Sequence, residues 1–229
     1  MPDTPFRIGL LLFPNLTQFD LAGPYEVFAR MPGSEVHLVA ETAAPVRSEF
    51  GLTLTPTATY DACPRLDLVC VPGGLGVNAL LTDAATLDFL RRAAAEARYV
   101  TSVCTGALLL GAAGLLRGRR AATHWTAREL LRAFGAEPVA ERVVVDGNVI
   151  TGGGVTAGID FALRVVAEIA GREVAEAIQL GIEYDPHPPF DAGAPDRAPP
   201  AVFEAVRRRA EPRQRQREEQ VRRAAAALG

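Results

Sequence analysis

Tyr99-Val100-Thr101-Ser102-Val103-Cys104-Thr105-Gly106-Ala107-Leu108-Leu109-Leu110 changes character at its middle. The first part is β-branched and aromatic, which suits a strand. From Gly106 through Gly111-Ala112-Ala113-Gly114-Leu115-Leu116 the residues are small and apolar and read as a buried helix. Cys104 stands at the junction. A sharp strand-to-helix turn with small neighbours lifts one side chain above the end of a sheet, as in the nucleophile elbow of hydrolases, and here the lifted atom is sulfur. The unpaired N–H groups at a helix start and the positive end of its dipole both favour a thiolate there. A buried, inert cysteine is the competing reading, because free cysteine is among the most buried residue types.

Outward from this stretch, strand and helix patterns alternate. Phe6 to Phe13 is a nearly continuous apolar run, suited to a central parallel strand buried on both faces. Leu21 to Arg30 reads as a helix with Pro24 in its first turn, stopped by Pro32-Gly33. Glu35 to Ala40 is the next strand, and Phe50 to Tyr60 reads as short strands or a hairpin beside the sheet. Leu66 to Val71 is a buried strand running into the turn Pro72-Gly73-Gly74-Leu75-Gly76, and Ala84 to Ala97 is a helix. Beyond the central stretch, Arg119 to His124 reads as a strand and Thr126 to Phe134 as a helix closed by Gly135. Asp146-Gly147 joins two strand patterns as a hairpin. Gly152-Gly153-Gly154 leads into an apolar helix from Thr156 to Ala170, and Glu173 to Leu180 forms one more.

This alternation predicts an α/β fold: a flavodoxin-like, doubly wound, mainly parallel sheet with helices on both faces. Residues 1–184 would form that domain, and residues 185–229 a proline-rich arm and a C-terminal helix packed on the body or on a partner subunit. The helix, Val202 to Leu228, carries eight arginines and should be interrupted near Pro212. Its positive charge could suit nucleic acid, but glutamates alternate with the arginines, no aromatics interleave, and no helix-turn-helix is visible, so a solvated helix is favoured. Ligands in such folds bind beyond the carboxyl ends of the strands. Asp20, Gly73-Gly74, Cys104, Gly152-Gly153-Gly154 and His124 all fall at expected strand ends and should converge on one crevice.

Composition removes several classes of function. A net charge of −3 gives no general attraction to nucleic acid or anionic membranes, and no stretch is apolar enough to span a bilayer. Met1-Pro2-Asp3-Thr4-Pro5 lacks the basic and apolar regions of a signal peptide, and three cysteines without metal-like spacing suit a reducing cytoplasm. All 24 basic residues are arginine, which excludes lysine Schiff-base chemistry. Reaction chemistry is left to carboxylates, thiols, hydroxyls, backbone groups or the three histidines, His37, His124 and His187.

A cysteine nucleophile needs activation and a place for developing charge. The backbone N–H groups of Thr105 and of Gly73 or Gly74 could supply the latter, although Gly-Gly also suits a plain turn. Asp20 could exchange a proton with the sulfur, with a pKa raised by enclosure, or could simply cap a helix. Glu26 is a further carboxylate whose facing the pattern does not fix. His124 could act as base, line the pocket, or serve the structure alone.

At these residues the chain resembles the ThiJ/PfpI superfamily, which has the class I glutamine amidotransferase-like fold, and within it the isonitrile hydratases. The resemblance rests on Leu11-Leu12-Phe13-Pro14, Phe19-Asp20-Leu21-Ala22-Gly23-Pro24, Val71-Pro72-Gly73-Gly74, Ala97 to Gly106, Ala121-Ala122-Thr123-His124-Trp125 and Thr151 to Phe161. It continues into Glu183-Tyr184-Asp185-Pro186 and Pro188-Pro189-Phe190, so it covers nearly the whole chain. Glutamate is frequent near the cysteine across the superfamily; the isonitrile hydratases resemble this chain in having aspartate, here Asp20. Peptidase-like relatives carry histidine after the cysteine, where this chain has Thr105, which argues against peptidase activity. Regulator relatives continue into a DNA-binding domain, for which this chain is too short.

The resemblance implies hydration of an isonitrile, R–N≡C, to an N-substituted formamide. Cys104 would attack to give a thioimidate, Asp20 would move protons, and Thr105 with the Gly73-Gly74 backbone would position the intermediate. Val155 would pack against the sulfur. It also implies a homodimer, with a small-molecule substrate and no metal or organic cofactor. Two other readings use the same elbow: a redox-sensing or protective protein with an oxidisable Cys104, and a glyoxalase-like hydratase using Cys104, a carboxylate and His124.

Overall fold

The computed structural model describes residues 4–228; of the N-terminal stretch read above, Met1 to Asp3 lie outside the described residues. The elements run β1 (Phe6–Leu11), α1 (Gln18–Phe28), β2 (Ser34–Ala40), β3 (Val46–Arg47), β4 (Thr53–Leu54), β5 (Ala58–Thr59), β6 (Leu68–Val71), α2 (Val77–Leu80) and α3 (Ala84–Glu96). They continue with β7 (Tyr99–Val103), α4 (Gly106–Ala112), β8 (Arg120–Ala121), a 3₁₀ helix (Trp125–Phe134), β9 (Glu137–Pro138), β10 (Val143–Asp146) and β11 (Val149–Gly152). The chain ends with α5 (Ala157–Ala170), α6 (Arg172–Gly181) and α7 (Pro200–Ala227).

The main sheet has the order β10-β11-β7-β6-β1-β2-β5. All neighbours are parallel except the β10–β11 hairpin, which turns at Asp146-Gly147 with Gly147 at φ 62°. This is the doubly wound α/β arrangement expected from the alternation, and its switch point lies between β1 and β6, where successive connections leave in opposite directions. Helix α1 packs on α5, while α3 packs on α4 and both contact β6 or β7. The apolar runs of the central strands become core: Ile8, Leu10, Leu68 and Val71 are fully buried. Each such aliphatic side chain is worth about 2 kcal/mol relative to exposure. Phe28 and Phe161 meet edge to face at 6.2 Å, joining the helices of one layer.

Four local expectations are corrected. Helix α1 begins at Gln18, so Pro24 stands in its interior and not in its first turn. Its start is drawn back because the preceding loop bonds to the turn after β6: the Thr17 N–H donates to the Gly73 carbonyl at 2.9 Å, and Leu16 bridges Gly74. The strand expected over Arg119 to His124 shortens to β8, which pairs with β9 in a separate two-residue ladder. The helix closed by Gly135 is 3₁₀ throughout, with Gly135 in the left-handed region at φ 73°. Finally, α7 runs through Pro212 unbroken. Both Pro212 and Arg208, whose carbonyl the proline leaves without a helical donor, are exposed, so the carbonyl is not stranded in the core.

The arginine-rich helix packs on the body of its own chain. Arg217, Val221 and Ala224 are buried, and α7 contacts α2, α4 and the 3₁₀ helix. Among the described residues no helix is long and apolar enough to cross a membrane.

Candidate active site

Cys104 follows the last residue of β7 and has φ 57°, a left-handed backbone that costs a non-glycine residue about 1–2 kcal/mol. The strained turn is held from several sides. The Cys104 N–H donates to the carbonyls of Gly152 and Gly153 at 3.1 and 2.9 Å, and the Thr123 hydroxyl donates to the Cys104 carbonyl at 2.7 Å. Gly106 makes the elbow possible: a Cβ there would lie 2.0 Å from the Val71 carbonyl oxygen. The Cys104 side chain lines a cavity of about 230 Å³, and the residue is 5% exposed.

Asp20 lies in the first turn of α1 with no exposed surface. It does not cap the helix. Its Oδ2 accepts from the Gly73 N–H at 3.1 Å, and Oδ1 is buried without an N–H or O–H partner. The Cys104 thiol lies beside this carboxyl. Gly73 is wedged between the two, since a Cβ on it would sit 2.8 Å from both Asp20 Oδ2 and Cys104 Cβ. Burial lifts the Asp20 pKa from 3.8 to about 7, against the hydrogen bonds from Cys104 and Gly73; the Glu49 carboxylate adds to the rise.

Burial also pushes the Cys104 thiol up, and the Asp20 charge pushes it further, while the N–H groups of Thr105 and Val155 pull it down. The helix start therefore acts on the sulfur in the expected direction, but burial, the largest influence, outweighs it. When Asp20 holds the proton, its contribution to lifting the thiol vanishes. The proton lost near neutral pH is the one on Asp20, which leaves the Asp20–Cys104 pair with one proton and a single negative charge.

The N–H groups of Gly73 and Gly74 do not face the cavity as free donors. Gly73 bonds to Asp20, and the Gly74 N–H donates to Thr105 Oγ1 at 3.0 Å. The donors turned toward sulfur are Thr105 and Val155, the latter held at φ 35°. His124 lines the same cavity. Its Nδ1 accepts from the Thr126 N–H at 3.3 Å, which leaves Nε2 to carry the proton of the neutral ring. Burial, with Arg217 nearby, lowers its pKa to about 4, so it is neutral and a weak base at physiological pH. Gly154 allows the ring its place, since a Cβ there would come 2.4 Å from His124 Cδ2. Glu26 is paired with Arg30 on the exposed side of α1 and is not part of the cavity.

The far wall of the cavity has no counterpart among the residues expected from the sequence. Helix α7 supplies Val206, Arg213, Gln214 and Arg217 to it, and the loop after β3 supplies Glu49. Arg213 forms a 2.6 Å ion pair with Glu49, whose side chain is only 12% exposed. Trp125 closes the cavity on one side and packs against Phe203 of α7 at 5.6 Å. Among the described residues no group of three or more His, Cys, Asp or Glu side chains is arranged to hold a metal ion.

Comparison with known proteins places this site in context. Residues 6–168 match the model of the DJ-1/PfpI family. The chain is 57% identical over 222 residues to isonitrile hydratase of Pseudomonas putida, covering 97% of each. It is 33% identical over 189 residues to the HTH-type transcriptional regulator GbdR of Pseudomonas aeruginosa, covering 79% of this chain and 51% of the regulator. Among solved structures, a THiJ/PfpI family protein from Pseudomonas syringae superposes with a TM-score of 0.92 at 44% identity, covering 96% of this chain and 94% of that one.

Proposed function

The chain belongs to the DJ-1/PfpI family, and from that premise we propose that it hydrates isonitriles to N-substituted formamides. The observation that carries the chemistry is the fully buried Asp20 carboxyl, lifted to about 7, beside the Cys104 thiol. With its one proton on Asp20, such a pair would offer a nucleophile and a neutral acid at the same pH.

In the reacting form sulfur is ionised and Asp20 holds the proton. The thiolate attacks the terminal carbon of R–N≡C, and Asp20 gives its proton to that carbon, leaving the thioimidate R–N=CH–S–Cys104. Water then adds to the same carbon. The Asp20 carboxylate takes a proton from the water and passes it to nitrogen, giving R–NH–CH(OH)–S–Cys104. Collapse expels the thiolate, and the hydroxyl proton returns to Asp20. The net change is R–N≡C plus water to R–NH–CHO, with the pair restored. The dyad supplies both the nucleophile and the proton shuttle, so the proposed cycle uses no metal or organic cofactor.

Thr105 and Val155 present N–H groups to the sulfur and would hold it ionised. In this reading Gly73 orients Asp20 and Gly74 orients Thr105, with neither acting as a free oxyanion donor. His124 would line the pocket as a neutral ring. Residues 185–229 would complete the enzyme as a separate C-terminal segment closing the cavity. We also place the protein in the cytoplasm as a homodimer; the exposed Leu180 and Phe190, 82% and 79% accessible, support self-association.

Pure protein supplied with an alkyl or aryl isonitrile should consume it and release the formamide. Brief exposure should leave an adduct on Cys104 detectable by mass spectrometry. Absence of turnover with every isonitrile tried would overturn the reading; conversion of an α-oxoaldehyde in its place would favour a glyoxalase-like hydratase.

A further inference from the structure

Arg217 is 8% exposed, yet no carboxylate lies within ion-pair distance of it among the described residues. Its Nε donates to Asn78 Oδ1 at 3.1 Å and its Nη1 to Gln214 Oε1 at 3.2 Å, both neutral amides. A guanidinium taken out of water without a counter-charge is costly. The nearest candidate carboxylate on the cavity wall, Glu49, is already committed to Arg213. His124 is neutral there, and Cys70, behind the site, keeps its proton. The uncommitted negative charge in reach is the one held by Cys104 and Asp20, and Arg217 lines the same cavity as Cys104.

We infer that Arg217 is the counter-charge of the Cys104–Asp20 pair, stabilising its singly ionised form across the cavity. It acts through its field and not by contact with the reacting atoms, so it is a positioning residue. With Arg213 and Glu49 cancelling each other, Arg217 and the ionised pair leave the cavity electrically neutral. That arrangement persists through the cycle, since the negative charge passes from sulfur to Asp20 when the thioimidate forms. Burial lowers the Arg217 pKa, and the charge of an ionised Cys104 works against that lowering.

The inference rests on Cys104 as nucleophile, so its test reads the thiol directly. In the full chain, the rate of Cys104 alkylation by iodoacetamide would be followed from pH 5 to 10 by peptide mass mapping. Arg217→Met should raise the midpoint by about one pH unit and slow alkylation at pH 7 about tenfold. Asn78→Asp should do the same by placing a rival carboxylate on Arg217. It keeps the side-chain shape and removes the buried, unpartnered Nδ2 of Asn78, so it decides the matter if Arg217→Met does not fold. Arg217→Lys, which keeps the charge, should hold the midpoint within a few tenths of a unit.

An unmoved midpoint in Asn78→Asp and in folded Arg217→Met overturns the inference. So does a shift in Arg217→Lys as large as in Arg217→Met, which would make the effect one of packing. With isonitriles as substrates, a tenfold loss in kcat/KM for a neutral alkyl isonitrile is expected in Arg217→Met. A loss confined to an isonitrile bearing a carboxylate would make Arg217 a substrate anchor and overturn the inference. Alkylation needs no turnover, so a protein that hydrates no isonitrile would still reveal whether Arg217 sets the thiol midpoint.

Discussion

Cys70 stands on β6 and Cys104 just past the end of its parallel neighbour β7, both buried, both with thiols pushed up by burial and by the charge of Asp20. Cys70 lies inside β6, paired in register with Thr101, and lines no part of the cavity. Cys104 lies just past the end of β7, at positive φ, with one side open to the cavity and two N–H groups turned to its sulfur. Burial and proximity to an acid therefore do not set the two thiols apart. Position relative to the strand end does, because there the backbone turns the N–H groups of Thr105 and Val155 toward the sulfur.

Replacing Cys104 by Ala should put the largest strain on this contrast. Isonitrile hydration should fall to background, whereas Cys70→Ala should keep kcat/KM within about twofold and cost about 1–2 kcal/mol in urea unfolding. Equal losses of activity in the two variants would break the comparison. Asp20→Asn comes next, with an expected drop of about 10²–10⁴-fold in kcat and little change in KM, measured by formamide release. A third measurement is the pH profile of the unmodified chain. Because Asp20 loses its proton near pH 7 and the single negative charge needed for a thiolate then exists, kcat/KM should rise as pH increases through about 7 and then level off. A flat profile from pH 5 to 9 would separate the carboxyl from the sulfur.

Stability carries Asp20 and His124 into a measurement that needs no substrate. Asp20 is raised on folding, so its contribution is complete below the unfolded pKa near 3.8 and is lost as pH rises toward about 7. Relative to Asp20→Asn, the unmodified chain should lose up to about 1.4 kcal/mol per pH unit across that window in urea unfolding. His124 is lowered on folding, so its contribution is present above 6.5 and is lost as pH falls toward about 4. A His124→Asn variant should therefore lose less stability than the unmodified chain between pH 6.5 and 4.

The sheet-borne half of the site was legible in the sequence for a physical reason. Strand, turn and helix patterns locate strand ends, and a doubly wound sheet gathers those ends on one edge, so Cys104, Asp20 and Gly73 could be brought together without coordinates. The details of donation could not. Whether the Gly74 N–H faces the cavity or Thr105 depends on a turn geometry that Gly-Gly leaves open. The helix-borne half was not legible at all. Arg217 is one of eight arginines in α7, and nothing local marks it; its burial follows from docking against Asn78, 139 residues away in the sequence. Pro212 misled in the same region, because a break was expected where exposure lets the helix continue.

The long terminal helix has a consequence for how selectivity can change. Cys104, Asp20 and the N–H groups of Thr105 and Val155 lie before residue 156, while much of the outer wall comes from α7, on a segment tethered by an irregular stretch from 185 to 199. Exchanging Val206 or Ala210 reshapes the space offered to R without disturbing the backbone that aims the thiol. Evolution or a designer can thus tailor the glove from the cuff inward, leaving the fingertips as they are.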